Sequence, residues 1–233
     1  MRVLVFDTET TGLPKSRTID PNALHLWPYI VQFSYIVYDS SDNDINVVED
    51  NIIKTADGVE ITAESSAIHG ITNEISKTTG VDLKGVLARF FADLQNADTL
   101  VGHNITFDIN VVVVELLRLI YNKSDSISAE ELTAYKANLH LLNNYKGVYC
   151  TMQNSIDLCA IKVVGKTGRE YNKFPKLIEL HQKLFNTTPN NLHNSLIDIL
   201  VTLRCYVMMT LTRDLHKTCK KFKTFAKKQQ ILS

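Results

Sequence analysis

The sequence predicts an α/β fold: one domain built on five strands, followed by a basic helical tail. Three observations carry this prediction. Val3-Leu4-Val5-Phe6 is a continuous apolar run at the start of the chain, the pattern of a central strand covered on both faces. Two further runs rich in Val, Ile, Phe and Tyr, Tyr29–Asp39 and Ile45–Lys54, flank a polar Ser-Ser-Asp-Asn-Asp turn and pair as a hairpin. Beyond them, helical periodicity alternates with two short strand signals.

Short helices are expected from Thr62. A clearer one covers Asp82–Gln95, where Val86, Leu87, Phe90, Phe91 and Leu94 share one stripe. Thr99–Val101 is a short fourth strand, interrupted by Gly102-His103-Asn104. The helix Thr106–Tyr121 is almost wholly apolar between Ile109 and Leu119, so it should be deeply buried. Residues 122–147 are polar, with a peripheral helix near Ala129–Leu142. Gly147–Cys150 is the fifth strand, followed by a helix over Ser155–Ile161. Lys162–Asn172, with its Gly and Lys content, is expected as a mobile loop. Two helices, Pro175–Phe185 and Leu192–Leu211, complete the domain. No internal repeat or low-complexity linker interrupts it, so the boundaries are 1–212 for the domain and 213–233 for the tail.

Composition sets limits on function. Hydrophobic residues make up 45% and charged residues 21% of the 233, ordinary for a globular protein that contacts no membrane. No apolar run reaches the roughly 18 residues of a membrane span. Met1 leads straight into a strand, without the basic-then-apolar start of a secretory signal. Cys150, Cys159, Cys205 and Cys219 have neither zinc-site spacing nor disulfide-framework density, which points to reduced thiols in the cytoplasm or nucleus. The net charge is zero but uneven. Residues 213–228 hold seven Lys and Arg against Asp214 alone, a local charge of +6, and the rest of the chain carries −6. Such a tail can attract phosphates; a solvated helix face is the alternative.

The first strand ends in two acids. Asp7 and Glu9 are two residues apart, so a strand places both carboxylates on one face. Like charges that close in a low dielectric repel, and a bound cation relieves them. Asp108 falls in the first turn of the apolar helix, where the helix dipole alone would favour an acid. Asp198 lies inside another apolar helix, where an unpaired carboxylate is costly. His193 precedes Asp198 by five residues, about 140° around a continuous helix. The two converge only if His193 sits before the helix start, and Pro189-Asn190-Asn191 supports that placement.

Asp-Thr-Glu-Thr-Thr-Gly-Leu at 7–13, His-Asn-x-x-Phe-Asp at 103–108 and His-x-x-x-x-Asp at 193–198 together resemble the three motifs of the DEDDh, or DnaQ-like, 3′–5′ exonucleases. Ala67-Ile68-His69-Gly70-Ile71-Thr72 resembles the segment between the first two motifs in that family. Cys150-Thr151-Met152 and Phe174-Pro175-Lys176-Leu177 also look like family landmarks. The resemblance spans residues 1 to about 211. It implies an RNase H-like mixed five-stranded sheet, first three strands antiparallel, flanked by helices. It further implies that Asp7, Glu9, Asp108 and Asp198 hold two divalent ions, Mg²⁺ or Mn²⁺, whose hard character suits carboxylate ligands. His193 would be the general base. Thr10, Leu13, His69, Ile71, Asn104 and Phe107 would contact the terminal nucleotide, with structural roles as the alternative for the last four. The implied partner is a nucleic acid with a free 3′ end, DNA in preference to RNA. A polymerase or a second copy of the chain is a further candidate partner. Two departures stand out. Ser195 occupies a position where many relatives have alanine, and residues 14–28 form a longer loop after the first motif, beside the expected site.

Overall fold

In a computed structural model the described residues are 1–121 and 127–231. Part of the polar 122–147 segment, residues 122–126, therefore lies outside them. Five strands form one sheet in the order β3-β2-β1-β4-β5. β1 (Arg2–Thr10) pairs antiparallel with β2 (Ile30–Asp39), and β2 with β3 (Asp44–Ile52). On the other side of β1, β4 (Thr99–Gly102) and β5 (Val148–Cys150) run parallel to it. The sheet is thus mixed, antiparallel in its first three strands, and of the RNase H-like form expected.

Between β3 and β4 lie α1 (Ala63–His69), α2 (Asn73–Thr79) and α3 (Leu83–Leu94). Each starts at a side-chain cap: Thr62, Thr72 and Asp82 accept from backbone N–H groups two or three residues on. Gly70, at φ +77°, ends α1 in the left-handed conformation that a side chain would strain. α4 (Ile105–Tyr121) and α5 (Ala129–Asn143) separate β4 from β5, and Ser128 with Glu131 forms a capping box at the start of α5. After β5 a 3-10 turn leads into α6 (Ile156–Cys159), shorter than the sequence pattern suggests because Ala160 takes a left-handed conformation and closes it.

The segment 162–172 is not a mobile loop. It forms an antiparallel hairpin, β6 (Lys162–Val164) with β7 (Glu170–Asn172), closed by the Gly165 N–H donating to the Arg169 carbonyl and the Gly168 N–H to the Gly165 carbonyl, both at 2.9 Å. The Gly and Lys content masked these short strands, and only the cross-strand pairing of Val163 with Tyr171 reveals them. α7 (Leu177–Phe185) and α8 (Ser195–Leu211) follow.

Strand alternation divides the core in two. Leu4 and Phe6 face α3 and α4 together with Phe33, Phe90 and Val112, all essentially inaccessible. Val3 and Val5 face the other way, onto α8 through Ile199, Leu200 and Leu203. Residues beyond 212 contribute to this second core. α9 (Leu215–Thr218) and α10 (Lys220–Lys228) bury Leu215, Cys219, Phe222 and Ala226, and Ile231 joins them. Arg204 of α8 reaches Asp214 through two hydrogen bonds of 2.8 and 3.0 Å. All four cysteines are free thiols. Among the described residues no helix is long and apolar enough to cross a membrane.

Candidate active site

The sheet's alternation positions the acids. Asp7 and Glu9 continue the face that carries Val3 and Val5, so both project toward α8. Asp198 lies one turn into α8, on the same side. Asp7, Glu9 and Asp198 each offer an oxygen, and these oxygens lie within 4.8 Å of one another. All three residues are partly accessible.

Asp108 approaches from the opposite face. It sits in the first turn of α4, nearly inaccessible, and its Oδ1 accepts from the Thr8 backbone N–H at 2.9 Å and the Thr8 hydroxyl at 2.7 Å. Thr8 lies between Asp7 and Glu9 on β1 and points to the other face. The first turn of α4 is therefore fastened to the strand segment that carries both acids. Asp108 stands outside the tight trio but within electrostatic reach, raising the pKa of Glu9.

Burial pushes every one of these carboxyls upward, and repulsion adds to it for Glu9, Asp108 and Asp198. Burial takes Asp7 up to about 7. Glu9 reaches about 9 through burial, then through the charges of Asp7, Asp198 and Asp108. Asp108 and Asp198 also rise, from burial first and from Asp7 second. Asp198 Oδ2 accepts the His193 N–H at 3.2 Å, whereas its Oδ1 is buried and has no hydrogen-bond partner among the described residues. A buried acceptor left alone among like charges is unfavourable by itself. A divalent cation fits this donor set: hard oxygens, excess negative charge and one acceptor without a partner.

His193 lies just before α8 in a left-handed conformation, φ +71°. That placement takes it off the helix, where the 140° offset would have separated it from Asp198. Its backbone N–H, not its ring, meets Asp198, and the imidazole is exposed and unpartnered among the described residues.

At the mouth of the site Thr10 and Leu13 differ sharply. The Thr10 hydroxyl donates to the Gly12 carbonyl at 2.7 Å, while Leu13 is 81% exposed. His69 is buried with both ring nitrogens engaged: Nε2 lies 3.3 Å from the Thr10 carbonyl and Nδ1 accepts the Ile71 N–H at 3.1 Å. Ile71 packs with Val31 and Ile61 in a small separate core. Asn104, at φ +66°, is exposed and its carbonyl accepts the Phe107 N–H. Phe107 is half-buried against the main core.

The bracing roles of Ser195, Gln32, His103 and Thr8 are not visible in the sequence pattern. The Ser195 hydroxyl, fully buried, donates to the Asp7 carbonyl at 2.7 Å, and its N–H meets Gln32 Oε1 at 3.3 Å. Gln32 in turn donates to Asp50 at 2.8 Å, so β3, β2 and the start of α8 are linked beside Asp7. His103 joins the start of α4 to later segments, with Nδ1 3.0 Å from the Thr151 hydroxyl and Nε2 3.1 Å from the Pro175 carbonyl. Burial holds its pKa down to about 4. Only the direction in which Thr8 points follows from alternation, because the residue between two site acids must face the opposite helix.

Residues 4–206 match the profile of the RNase T exonuclease family, described as Exonuclease. The chain belongs to this family. It is a nuclease fold of the DEDDh type, and the exonuclease has solved structural neighbours. Exonuclease I, in a structure that suggests how processivity is achieved, is 19% identical over 89% of this chain and 41% of its own, with a TM-score of 0.58. E. coli exonuclease I in complex with a dT13 oligonucleotide is 18% identical over 91% and 42%, with a TM-score of 0.58. Exonuclease I from Methylocaldum szegediense is 17% identical over 92% and 42%, with a TM-score of 0.55. The chain spans about two fifths of the length of these neighbours, and at such identity the likeness is one of fold. No curated protein matches the chain by sequence.

Proposed function

We propose that the protein is a divalent-metal-dependent 3′–5′ exonuclease that removes nucleoside 5′-monophosphates from single-stranded or frayed 3′ ends of DNA. The observation that carries this proposal is the trio of Asp7, Glu9 and Asp198, with oxygens within 4.8 Å of one another and Asp198 Oδ1 left without a partner. Family membership supplies the reaction class. DNA is favoured because neighbours of this fold, such as E. coli exonuclease I, are seen with a DNA oligonucleotide.

Asp7, Glu9 and Asp198 would hold the cation, with Asp108 adding negative charge from the α4 side. Two Mg²⁺ or Mn²⁺ ions, when bound, supply charge stabilisation for the attacking and leaving oxygens of an in-line displacement. The chain's own residues perform the remainder. His193, exposed and unpartnered at the rim, takes the proton from the attacking water; imidazole is the side chain best suited to that exchange near neutral pH. Its left-handed backbone and the N–H bond to Asp198 hold the main chain from which the ring projects. Leu13 projects from the turn after β1 as an apolar wedge beside the terminal base, which must leave its stack to enter the site. Asn104 and Phe107 line the α4 side. His69 and Ile71 hold the Thr10–Leu13 turn in place from behind. Ser195 keeps α8, and with it Asp198, in register with Asp7.

Digestion of oligonucleotides labelled at either end tests the assignment. With Mg²⁺, a 3′ label should leave in the first turnover as a mononucleotide, while a 5′ label should report a ladder shortening from the 3′ side. Immediate release of the 5′ label would refute the polarity. RNA and a mismatched duplex, run beside single-stranded DNA, measure sugar and strand preference, since only a contact to the 2′-hydroxyl separates the sugars.

A further inference from the structure

Outside the acid cluster lies a cleft of about 650 Å³, lined by Asn190, Asn191, His216, Lys223, Lys227 and Gln230 together with Ala226. We propose that this cleft is an accessory phosphate-binding subsite that holds the backbone of the nucleic-acid strand upstream of the scissile end. The proposal rests on the nuclease reading above and assigns part of the substrate's path.

Four observations support it. First, the lining carries two lysines and a histidine and no carboxylate. Lys223 and Lys227 lie four residues apart on α10, hence on one face, and both are exposed. Among the described residues neither has an ion-pair partner, whereas Lys221 on the same helix is held by Asp44 at 2.7 Å. The acid nearest in sequence, Asp214, is already occupied by Arg204 at 2.8 Å. Second, cations crowd the cleft: burial first, then Arg204, Lys223 and Lys217, hold the His216 imidazole below its ordinary pKa, against the opposing pull of Asp214.

Third, the cleft is built on a firm base. α10 buries Phe222 and Ala226 in the α8 core, so its lysines project from a fixed helix and not from a loose tail. Fourth, its far wall is the segment that carries His193. Asn190 donates its N–H to the Ile231 carbonyl at 2.9 Å, and its side chain reaches the Gln230 carbonyl at 3.3 Å. The Asn191 side chain lies 3.5 Å from the Gln229 carbonyl. Asn191 precedes His193 by two residues, so their Cα atoms are at most about 7 Å apart. A strand whose last phosphodiester sits at His193 can therefore lay an earlier phosphate in the cleft. The two ammonium groups are the charged donors such a phosphate takes.

The test compares Lys223→Gln/Lys227→Gln with the unsubstituted pair, both in an Asp7→Asn background that prevents cleavage. Binding of a labelled oligothymidylate is followed by fluorescence anisotropy across a salt series. The expected result is an approximately tenfold weaker affinity at low salt and a slope of log K against log salt reduced by about 1 to 2, as for two lost phosphate contacts. Lys136→Gln, on the exposed face of α5, should leave both quantities in place. Equal affinity and equal slope in the double variant would overturn the proposal. A thermal unfolding midpoint equal to that of the parent shows that the loss is not one of folding. Hydrolysis of thymidine 5′-monophosphate p-nitrophenyl ester by the wild-type chain with Mg²⁺ tests the catalytic centre separately. Without that turnover the nuclease reading fails, whatever the salt slope shows.

Discussion

Replacing Asp198 with Asn should make the metal-free protein more stable while abolishing its response to Mg²⁺. The oxygens of Asp7, Glu9 and Asp198 lie within 4.8 Å of one another. At that separation and an effective dielectric of about 20, two full charges repel by about 3.5 kcal/mol. Part of this repulsion is already relieved by protonation, because burial lifts Asp7 to about 7 and Glu9 to about 9. Asn keeps an oxygen for the His193 N–H but removes the charge, so the gain expected at pH 8 is about 1–3 kcal/mol. For a chain of this size that is about 2–10 °C in unfolding midpoint.

The sign with pH follows from linkage. A carboxyl whose folded pKa lies above its unfolded value costs nothing at a pH below about 4. Its cost grows as the pH rises toward the folded pKa. Wild type and Asp198→Asn should therefore unfold together near pH 4 and diverge by pH 8. Excess Mg²⁺ should raise the wild-type midpoint at pH 8 and leave the variant unmoved. Differential scanning calorimetry with and without chelator measures all of these. An Asp198→Asn protein that is less stable than wild type at pH 8 in chelator, or that still responds to Mg²⁺, would refute the reasoning.

Three further outcomes are expected. His193→Asn should lower kcat on a 3′-labelled oligonucleotide by about 10²–10⁴-fold with an unchanged midpoint, the range for loss of a general base; retained kcat would remove that role. Arg118 holds the 14–28 loop by donating to the Leu24, Trp27 and Pro28 carbonyls at 2.7–3.0 Å, pairs with buried Glu115 at 2.7 Å and stacks over Tyr29. Arg118→Met should cost about 3–5 kcal/mol in urea unfolding, because Glu115 is left buried and unpaired. His181 Nε2 faces an Arg204 N–H at 2.9 Å, so its ring must be neutral, and burial holds its pKa down to about 4. A histidine whose folded pKa lies below its unfolded value stabilises above about pH 6.5 and loses that contribution as the pH falls toward 4. His181→Gln should flatten the acid limb of stability by up to about 3 kcal/mol.

Local patterns made much of the fold legible. The apolar runs of β1 and β2 and the stripe on α3 state their own periods, and the structure returns them within a residue or two. The start of α4 moves by one residue, to Ile105. The hairpin of β6 and β7 was not legible, because strands of three residues carry too little alternation to outweigh Gly165, Gly168 and their lysines. Ser195 illustrates another limit. As a residue type it is an unremarkable helix start, and its importance comes from reaching the Asp7 carbonyl across 188 positions of sequence.

By itself the sequence determined that Asp7 and Glu9 share a face, since the two-residue period of a strand is a property of the local backbone. It also determined that an acid inside the apolar run of α8 needed a partner. Tertiary structure alone decided which helix covers each face of β1. α8 lies over the face of Asp7 and Glu9, bringing Asp198 into the trio, and α4 lies over the other, so Asp108 is fastened through Thr8. It also decided that the segment after residue 212 buries Phe222 and Ile231 against α8 and closes over Asn190 and Asn191. The physical reason is the same in each case. Periodicity records what a residue faces relative to its neighbours in the chain, and packing between distant segments chooses what stands opposite.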